Sequence, residues 1–303
     1  MNEKANLAAS VSARLFNISR ATGQNFETLL TTYCLERFLY RLGASDLSKR
    51  FILKGAMLLR LWSDQPYRAT RDLDLLRRGD GAADAILEDL RAVVGLTVPP
   101  DAVEFEADSI VIEVIRAADD SVGTRAMIPV RVGKARVSLQ IDMGIGDAVW
   151  PAPRTCTYPT LLGSPAPVML AYPKEAVIAE KFEAMVVLGD RNSRIKDFFD
   201  LHYLASRFEF DRATLAEAVR RTFERRNTPL PAEDPIGLTP AYWENPSRPA
   251  QMRAFARRAG LDVPSKLSDD FTRLLNAFLA PVLNDVRDGK SSTAIWSPGG
   301  PWS

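Results

Sequence analysis

The sequence predicts an α+β fold, in which a core sheet lies between an N-terminal helical segment and a C-terminal helical domain. Apolar residues recur at helical spacing in the first 50 residues, and helical patterns return after Pro173. Between these regions, residues 103–145 are rich in β-branched residues. The expected divisions are N-terminal helices packed on the core at 1–50, the core at 51–150, a mainly helical domain at 151–285 and a flexible tail at 286–303.

The composition is that of a globular protein without a dominant charge. Of 303 residues, 46% are hydrophobic and 25% are charged, and the formal net charge is +1, so any nucleic-acid surface must be a local patch. No stretch approaches the ~20 apolar residues that span a bilayer, and Met1–Asn6 has no apolar signal core after it. Cys34 and Cys156 fit a reducing compartment, with Cys34 on a buried helix face. We therefore expect a cytoplasmic protein without a membrane partner.

Short strands and helices are expected to share the N-terminal half. In the second predicted helix, Phe26, Tyr33 and Phe38 belong to one apolar face. Asp72–Leu76 alternates polar and apolar residues, which predicts a strand with both aspartates on one face. The predicted helices are 5–22, 26–42, 57–62 and 82–94, and the predicted strands are 51–53, 72–76, 109–115, 124–132 and 134–143, the last three as a meander.

A proline-rich stretch at 151–167 predicts an extended connector and the best domain boundary. The final residues, 289–303, contain little core-forming material, although Trp296 and Trp302 could dock onto a surface. The helices predicted after the connector are 174–188, 195–206, 211–226, 247–258 and 265–283.

Asp72 and Asp74 are the most suggestive polar pair. Two carboxylates side by side on a strand repel each other unless a cation lies between them, and Mg²⁺ prefers oxygen ligands together with substrate phosphates. The Asp-x-Asp pattern alone is common, however, and a solvated strand face explains it better than a metal site does.

Three neighbouring features favour the metal site. The Gly55-Ala56 turn precedes a helix, where backbone N–H groups favour a phosphate. Arg68 and Thr70 offer a guanidinium and a hydroxyl to a triphosphate. Asp142 ends a later strand and would supply a third carboxylate if that strand pairs beside the first. Metals held by three acids can activate an attacking oxygen and stabilise a leaving pyrophosphate.

At this point the sequence resembles the AbiEii-type nucleotidyltransferase toxins of the DNA polymerase β-like superfamily. Phe51–Leu59 (FILKGAMLL) and Tyr67–Leu75 (YRATRDLDL) look like the first motif of that family. Tyr172–Lys181 (YPKEAVIAEK) and Asn192–Leu201 (NSRIKDFFDL) look like its third and fourth motifs. The resemblance extends over residues 23–204, about two thirds of the chain.

The resemblance implies a nucleotidyltransferase core with a mixed sheet that uses Mg²⁺ (or Mn²⁺) and transfers a nucleotide from an NTP to RNA, such as a tRNA 3′ end. It also implies growth inhibition as the toxin of a type IV toxin–antitoxin system, with a cognate antitoxin encoded nearby. The implied catalytic residues are Asp72, Asp74, Asp142, Lys181 and Asp200, of which the first three are metal ligands. The implied nucleotide-binding residues are Lys54, Gly55, Ala56, Arg68, Thr70, Arg194 and Lys196.

One position departs from the family pattern, and several assignments have structural alternatives. Ala56 stands where the family usually has a second glycine or a serine, so a hydroxyl contact to phosphate is absent there. Lys181 also fits a surface lysine whose stem covers apolar groups. Arg194, Lys196, Asp197 and Asp200 fit a structural ion-pair network equally well.

The remaining polar features favour structural roles. His202 is the single histidine, which excludes a histidine-rich zinc site, and its apolar neighbours favour a structural role. Arginines at helical spacing could contact an RNA backbone, although such runs are usually solvated faces. These arginines are Arg220, Arg221, Arg225, Arg226, Arg253, Arg257 and Arg258.

Two other functions remain open from the sequence alone. A transferase of the same fold could modify a small molecule or a protein. A nucleotide-binding regulatory module without turnover is the alternative from another class, and Ala56 is the sequence feature that favours it.

Overall fold

A computed structural model describes residues 3–63, 70–116, 122–261 and 267–303. The chain forms two compact units. The first unit comprises Met1–Gly146 and Arg154–Ala171, and the second comprises Asp147–Pro153 and Tyr172–Ser303.

The first unit is built on a mixed sheet, as predicted. Its strands are β1 (Phe51–Lys54), β2 (Asp72–Arg77), β3 (Val103–Phe105), β4 (Val111–Arg116), β5 (Val122–Val132), β6 (Ala135–Ile145), β7 (Arg154–Thr157) and β8 (Val168–Ala171). They lie in the order β3-β5-β6-β2-β1-β8-β7, and β4 also pairs with β5. The β2–β6 and β1–β8 pairs are parallel, and the other pairs are antiparallel.

Alternation along the central strands separates a buried apolar face from a polar one. Leu73 and Leu75 of β2 are fully buried, and so is Ile141 of the adjacent β6. The polar residues between them, Asp72 and Asp74, are only half-buried. Since successive side chains of a strand point to opposite faces, the aspartates lie on the face opposite to the leucine core.

Three helices complete the first unit: α1 (Glu3–Thr22), α2 (Phe26–Ala44) and α3 (Ala83–Val94). The α2 helix begins where the Asn25 side chain accepts the backbone N–H of Thr28 at 3.1 Å, a normal N-cap. It packs against β6 and β8 and buries Tyr33, Cys34 and Phe38, as its predicted apolar face requires.

The proline-rich segment after residue 151 differs from the expected connector. Residues 154–157 and 168–171 form β7 and β8, and β8 pairs with β1 in parallel. The chain therefore returns to the sheet between the two stretches of the second unit, Asp147–Pro153 and Tyr172–Ser303. Four-residue strands between prolines carry too short an alternation to be recognised from sequence.

The second unit is mainly helical. Its helices are α4 (Lys174–Leu188), α5 (Ile195–Arg207), α6 (Arg212–Arg225), α7 (Ser247–Ala259) and α8 (Leu267–Asp288). Each of these helices was predicted from the sequence, and every predicted end lies within five residues of the observed one. Asp211 caps α6 by accepting the backbone N–H of Thr214 at 2.7 Å. Within the described ranges, no helix is long and apolar enough to span a membrane.

The C-terminal segment is folded rather than a free tail. The strand β10 (Ile295–Trp296) pairs antiparallel with β9 (Phe210–Asp211). Trp296 is 1% exposed, and its indole N–H donates to the carbonyl of Ala205 at 2.7 Å. The Trp302 ring stacks on Phe278 with centroids 5.7 Å apart. Two tryptophans supply enough apolar area to hold a segment that is otherwise poor in core residues.

Candidate active site

Three aspartates of the first unit, which we call the strand acids, lie on the polar face of two adjacent strands. Asp72 and Asp74 occupy alternate positions of β2, and Asp142 of β6 lies directly opposite Asp74 in the parallel register. The prediction of a third carboxylate required these two strands to be neighbours, and they are. Among the described residues, the Asp72 carboxylate has no hydrogen-bond or ion-pair partner.

The strand acids belong to a row of charged residues that crosses five neighbouring strands. The register places Lys54 opposite Asp74, Asp74 opposite Asp142, Asp142 opposite Arg125, and Arg125 opposite Glu113. Directly paired residues project from the same face of a sheet. The row therefore concentrates both signs of charge on one face, with two acids adjacent at its centre.

Gly55 follows β1 and leaves room for the Asp74 carboxylate. Its φ of +72° is in the left-handed region, and a Cβ at this position would lie 1.9 Å from Oδ2 of Asp74. Glycine is thus required twice, by backbone conformation and by the close approach of the carboxylate. From the sequence, Gly55 was expected to let a phosphate approach the backbone. The structure shows a further reason for a glycine here, which is the space that the Asp74 carboxylate occupies.

Arg125 holds the third acid and was not found from the sequence. Its Nε and Nη2 donate to the two oxygens of Asp142, both at 2.8 Å, and Gln140 Nε2 donates to Oδ2 at 3.1 Å. The hydrogen bond to Asp142 raises the pKa of Arg125, and Asp72 and Glu113 add to the effect. Counting residues outward from the turn at Gly133 would have paired positions 125 and 142.

The donor chemistry of the strand acids fits a hard divalent cation. Mg²⁺ and Mn²⁺ take oxygen ligands, and Asp72 and Asp74 present two carboxylates from one strand face. Within the described ranges, no three histidine, cysteine, aspartate or glutamate side chains converge on one point. Asp142 is bound through both of its oxygens by Arg125. The residues therefore fit a metal bound mainly by the β2 pair, with Asp142 beside it.

The structure describes three other nucleotide-binding residues predicted in the first unit, Lys54, Ala56 and Thr70. The expected helix at 57–62 is a six-residue 3₁₀ helix, Gly55–Arg60, which includes Ala56. The hydroxyl of Thr70 contacts the backbone of Asp72, donating to its carbonyl at 3.2 Å. Lys54 is half-buried at the end of β1, and Arg68 lies outside the described residues.

A second charged cluster, which we call the helix ion pairs, joins α4 and α5 of the second unit. Lys181 Nζ lies 2.5 Å from Oδ1 of Asp197 and 2.9 Å from Oδ2 of Asp200. Arg194 Nε lies 2.8 Å from the other oxygen of Asp197, although its N–H does not point at that oxygen. Lys196 is exposed. The side chains of Asp197 and Asp200 are 4% and 1% exposed, so Lys181 is not a snorkelling surface lysine.

The sequence model of the family "Nucleotidyl transferase AbiEii toxin, Type IV TA system" matches residues 37–277. The chain belongs to this AbiEii family. It is a nucleotidyltransferase of the family whose members are toxins of type IV toxin–antitoxin systems. No curated protein matches the chain.

Two solved structures are similar to this AbiEii-family chain. The crystal structure of a "putative nucleotidyltransferase" from H. pylori is 16% identical, with a TM-score of 0.48, covering 89% of this chain and 100% of that one. The crystal structure of JHP933 from Helicobacter pylori is 15% identical, with a TM-score of 0.46, covering 88% of this chain and 96% of that one.

The arginine clusters of this AbiEii-family member are of two kinds. In α6, Arg220 and Arg221 are bound to Glu217 at 2.7 and 2.6 Å, and these contacts lower the pKa of Glu217 to about 2. Arg226 is mostly buried against Glu183 at 2.7 Å. Arg248 of α7 is buried and paired with Asp190 at 2.8 Å, whereas the three arginines of α7 named from the sequence are exposed and have no ion-pair partner among the described residues. They are Arg253, Arg257 and Arg258. Of the two clusters, the one on α7 is the more exposed.

His202 has a structural environment, as the sequence favoured. Its Nε2 lies 2.9 Å from Oδ2 of Asp270, and its ring stacks on Phe271 with centroids 4.3 Å apart. Burial lowers its pKa, and the hydrogen bond to the Asp270 carboxylate partly opposes this shift. The contact joins α5 to α8.

Proposed function

We propose that this AbiEii-family nucleotidyltransferase is Mg²⁺- or Mn²⁺-dependent and transfers a nucleotide from an NTP to RNA, such as a tRNA 3′ end. The observation that carries the proposal is the arrangement of the strand acids. Asp72 and Asp74 share one face of β2, and Asp142 lies in the neighbouring strand position opposite Asp74. The carboxylates of Asp72 and Asp74 are the oxygen ligands that Mg²⁺ and Mn²⁺ prefer, and Asp142 lies beside them on the neighbouring strand.

The acids supply the ligands for catalysis. When bound, the metal would stabilise charge on the phosphates and lower the pKa of the attacking hydroxyl. Asp72 and Asp74 would hold the metal, and Asp142 would add one oxygen as ligand or as the acceptor of the hydroxyl proton.

Nucleotide binding is assigned to groups that flank the acids and to the helix ion pairs. In the first unit, Lys54 and Arg68 supply charge, Thr70 a hydroxyl, and Gly55 and Ala56 backbone N–H groups. In the second unit, the exposed Lys196 and the partly exposed Arg194 suit phosphates, and Lys181 shares its charge with Asp200. The nucleotide-binding residues proposed here are therefore Lys54, Gly55, Ala56, Arg68, Thr70, Arg194 and Lys196, with Lys181 and Asp200 as supporting residues.

RNA is the proposed acceptor, and an antitoxin protein is the proposed partner. The three arginines of α7 named from the sequence are exposed, and exposed arginines are suited to contact phosphates of a nucleic-acid backbone. The family consists of type IV toxins, which favours growth inhibition and a neutralising protein encoded nearby.

The proposal is tested by incubating the protein with each α-labelled NTP, total RNA and Mg²⁺. We expect label in RNA with at least one NTP, none after chelation of the metal, and none with Asp72→Asn. Asp108→Asn changes an exposed aspartate of the same unit and should label RNA like the wild type. Label in protein or a small molecule but not in RNA would show that RNA is not the acceptor. The absence of label from every fraction would contradict the proposed transfer reaction.

A cellular arm addresses the toxin role. Expression of the wild type should arrest growth, and both co-expression of the neighbouring gene and Asp72→Asn should relieve the arrest. Unimpeded growth with active enzyme would contradict the toxin assignment without touching the transfer reaction.

A further inference from the structure

Arg125 lies on the catalytic face but belongs to none of the motifs that identify the family. It is on β5, directly opposite Asp142 in the antiparallel pairing with β6. Its side chain is 33% exposed and that of Asp142 is 21% exposed, so the pair lies at the surface of the sheet. Exposed ion pairs usually contribute less than about 1 kcal/mol to stability, although bidentate arginine–carboxylate pairs can contribute more.

Arg125 binds the Asp142 carboxylate in a bidentate arrangement. Arg125 donates one N–H to each carboxylate oxygen at 2.8 Å, and Gln140 adds a third donor to Oδ2 at 3.1 Å. A carboxylate has about four lone-pair positions. The described residues fill three of them and leave one position, on Oδ1, which among these residues is contacted by Arg125 alone. Asp142 can therefore offer one oxygen to one further partner, from a fixed orientation.

We propose that Arg125 is a positioning residue, which fixes the Asp142 carboxylate so that it presents a single oxygen to the metal or to the acceptor hydroxyl. This inference rests on the proposed function. It assigns Arg125 no contact with the nucleotide and no metal ligation. Its effect passes through the orientation of Asp142, as in other metal sites where hydrogen-bonded partners orient the ligands.

Charge alone does not account for the arrangement. A lysine would supply the same charge from a single point, whereas the planar guanidinium matches both carboxylate oxygens at once. Arg125→Lys keeps the positive charge beside Asp142 but removes the two-pronged contact. This substitution therefore separates orientation of the carboxylate from neutralisation of its charge.

The chain contains a matched control. Arg131 lies on the same strand, an even number of residues from Arg125 and thus on the same face. It also pairs with carboxylates, Glu106 at 3.2 Å and Glu104 at 3.6 Å, but these lie outside the strand acids. Arg131→Met thus removes a half-exposed, ion-paired arginine from β5 without touching Asp142.

The test compares the wild type with Arg125→Met, Arg125→Lys and Arg131→Met. Mn²⁺ binding to the protein is measured by electron paramagnetic resonance, and kcat and KM for the NTP are measured in the transfer assay. We expect both Arg125 variants to lower kcat by about 10- to 100-fold, as loss of such orienting partners does. KM should be unchanged, and Arg125→Met should bind Mn²⁺ at least as tightly as the wild type, because a nearby positive charge is gone. Arg131→Met should match the wild type in all three quantities.

Three results would overturn the proposal. Full kcat in Arg125→Met would show that orientation of Asp142 is not needed. Full rescue by lysine would reduce the role to charge. A rise in KM with kcat unchanged would make Arg125 a phosphate ligand instead. A wild type that binds Mn²⁺ but transfers no nucleotide is a different outcome, which removes the proposed function itself, and with it the reaction in which Arg125 would position Asp142.

Discussion

The strand acids and the helix ion pairs differ in how their charges are balanced. Asp72 is half-buried and its carboxylate has no hydrogen bond or ion pair among the described residues, whereas Asp142 is bound by both prongs of the Arg125 guanidinium. In the helix ion pairs, two cations face two aspartates, and the side chain of Asp200 is 1% exposed. An acid near water tolerates an unmatched charge and remains ready for a metal, whereas a buried acid is stable only when paired. Charge balance and burial thus predict that loss of a strand acid affects mainly catalysis and that loss of an acid from the helix ion pairs affects mainly stability.

The largest effect expected from this contrast is on catalysis. Asp72→Asn removes a metal ligand of nearly identical shape, and we expect transfer to fall by about 10³-fold, equivalent to about 4 kcal/mol. Its free energy of unfolding in urea should change by less than about 1 kcal/mol, because the carboxylate supports no described contact. A loss of stability comparable with the loss of transfer would make Asp72 a structural residue and break the comparison.

The second cluster should respond in the opposite way. Asp200→Asn removes a buried carboxylate that lies 2.9 Å from Lys181, and we expect a loss of about 3 kcal/mol of unfolding free energy in urea. Transfer per folded molecule should fall by less than tenfold. Asp288→Asn is the matched control, since it removes an exposed acid paired with Lys290 and should leave the urea midpoint unchanged. If Asp200→Asn lost its transfer activity at full stability, Asp200 would belong to the chemistry.

The contrast also explains what could be predicted from the sequence. The alternation of Asp72 and Asp74 and the helix positions are local patterns, so both could be predicted and the mixed α+β fold is confirmed. The burial of Lys181 depends on how α4 packs against α5, which no local pattern contains. Likewise, β8 and the docking of Trp296 come from pairings between segments distant in sequence.

A third prediction tests whether the shape around the strand acids matters as much as their charge. Gly55→Ala adds a methyl group 1.9 Å from Oδ2 of Asp74 at a φ of +72°, so we expect about 2 kcal/mol of lost stability and reduced transfer. Gly23→Ala has nearly the same φ, +73°, with nothing within 4 Å of the new Cβ, so it should show only the backbone strain, about 1 kcal/mol. Equal effects of the two variants in chemical denaturation would mean that Asp74 moves aside at no cost.

The smallest effect concerns Glu36, a carboxylate that is buried like the acids of the helix ion pairs but has weaker charge compensation than they have. Glu36 is 0% exposed, and its partners are the Leu161 N–H at 3.0 Å and Arg60 at 3.4 Å. Burial raises its pKa from 4.5 to about 7, although the Leu161 N–H, Arg60 and Arg37 each oppose the shift. Its charge is therefore less well compensated than that of a fully paired acid.

The sign of the resulting pH dependence distinguishes this acid from a paired one. Between pH 4.5 and about 7, the folded state retains a proton that the unfolded state has lost, so stability should decrease as the pH rises, by about 1 kcal/mol per unit. A well-paired carboxylate would show the reverse, losing stability on acidification. Urea midpoints at pH 5.5 and 6.5 for the wild type and Glu36→Gln isolate the contribution, because His202 and other titrating groups are common to both. Parallel pH dependences would mean that Arg60 keeps Glu36 ionised in the fold, and charge compensation would then extend to the interior of the first unit as well.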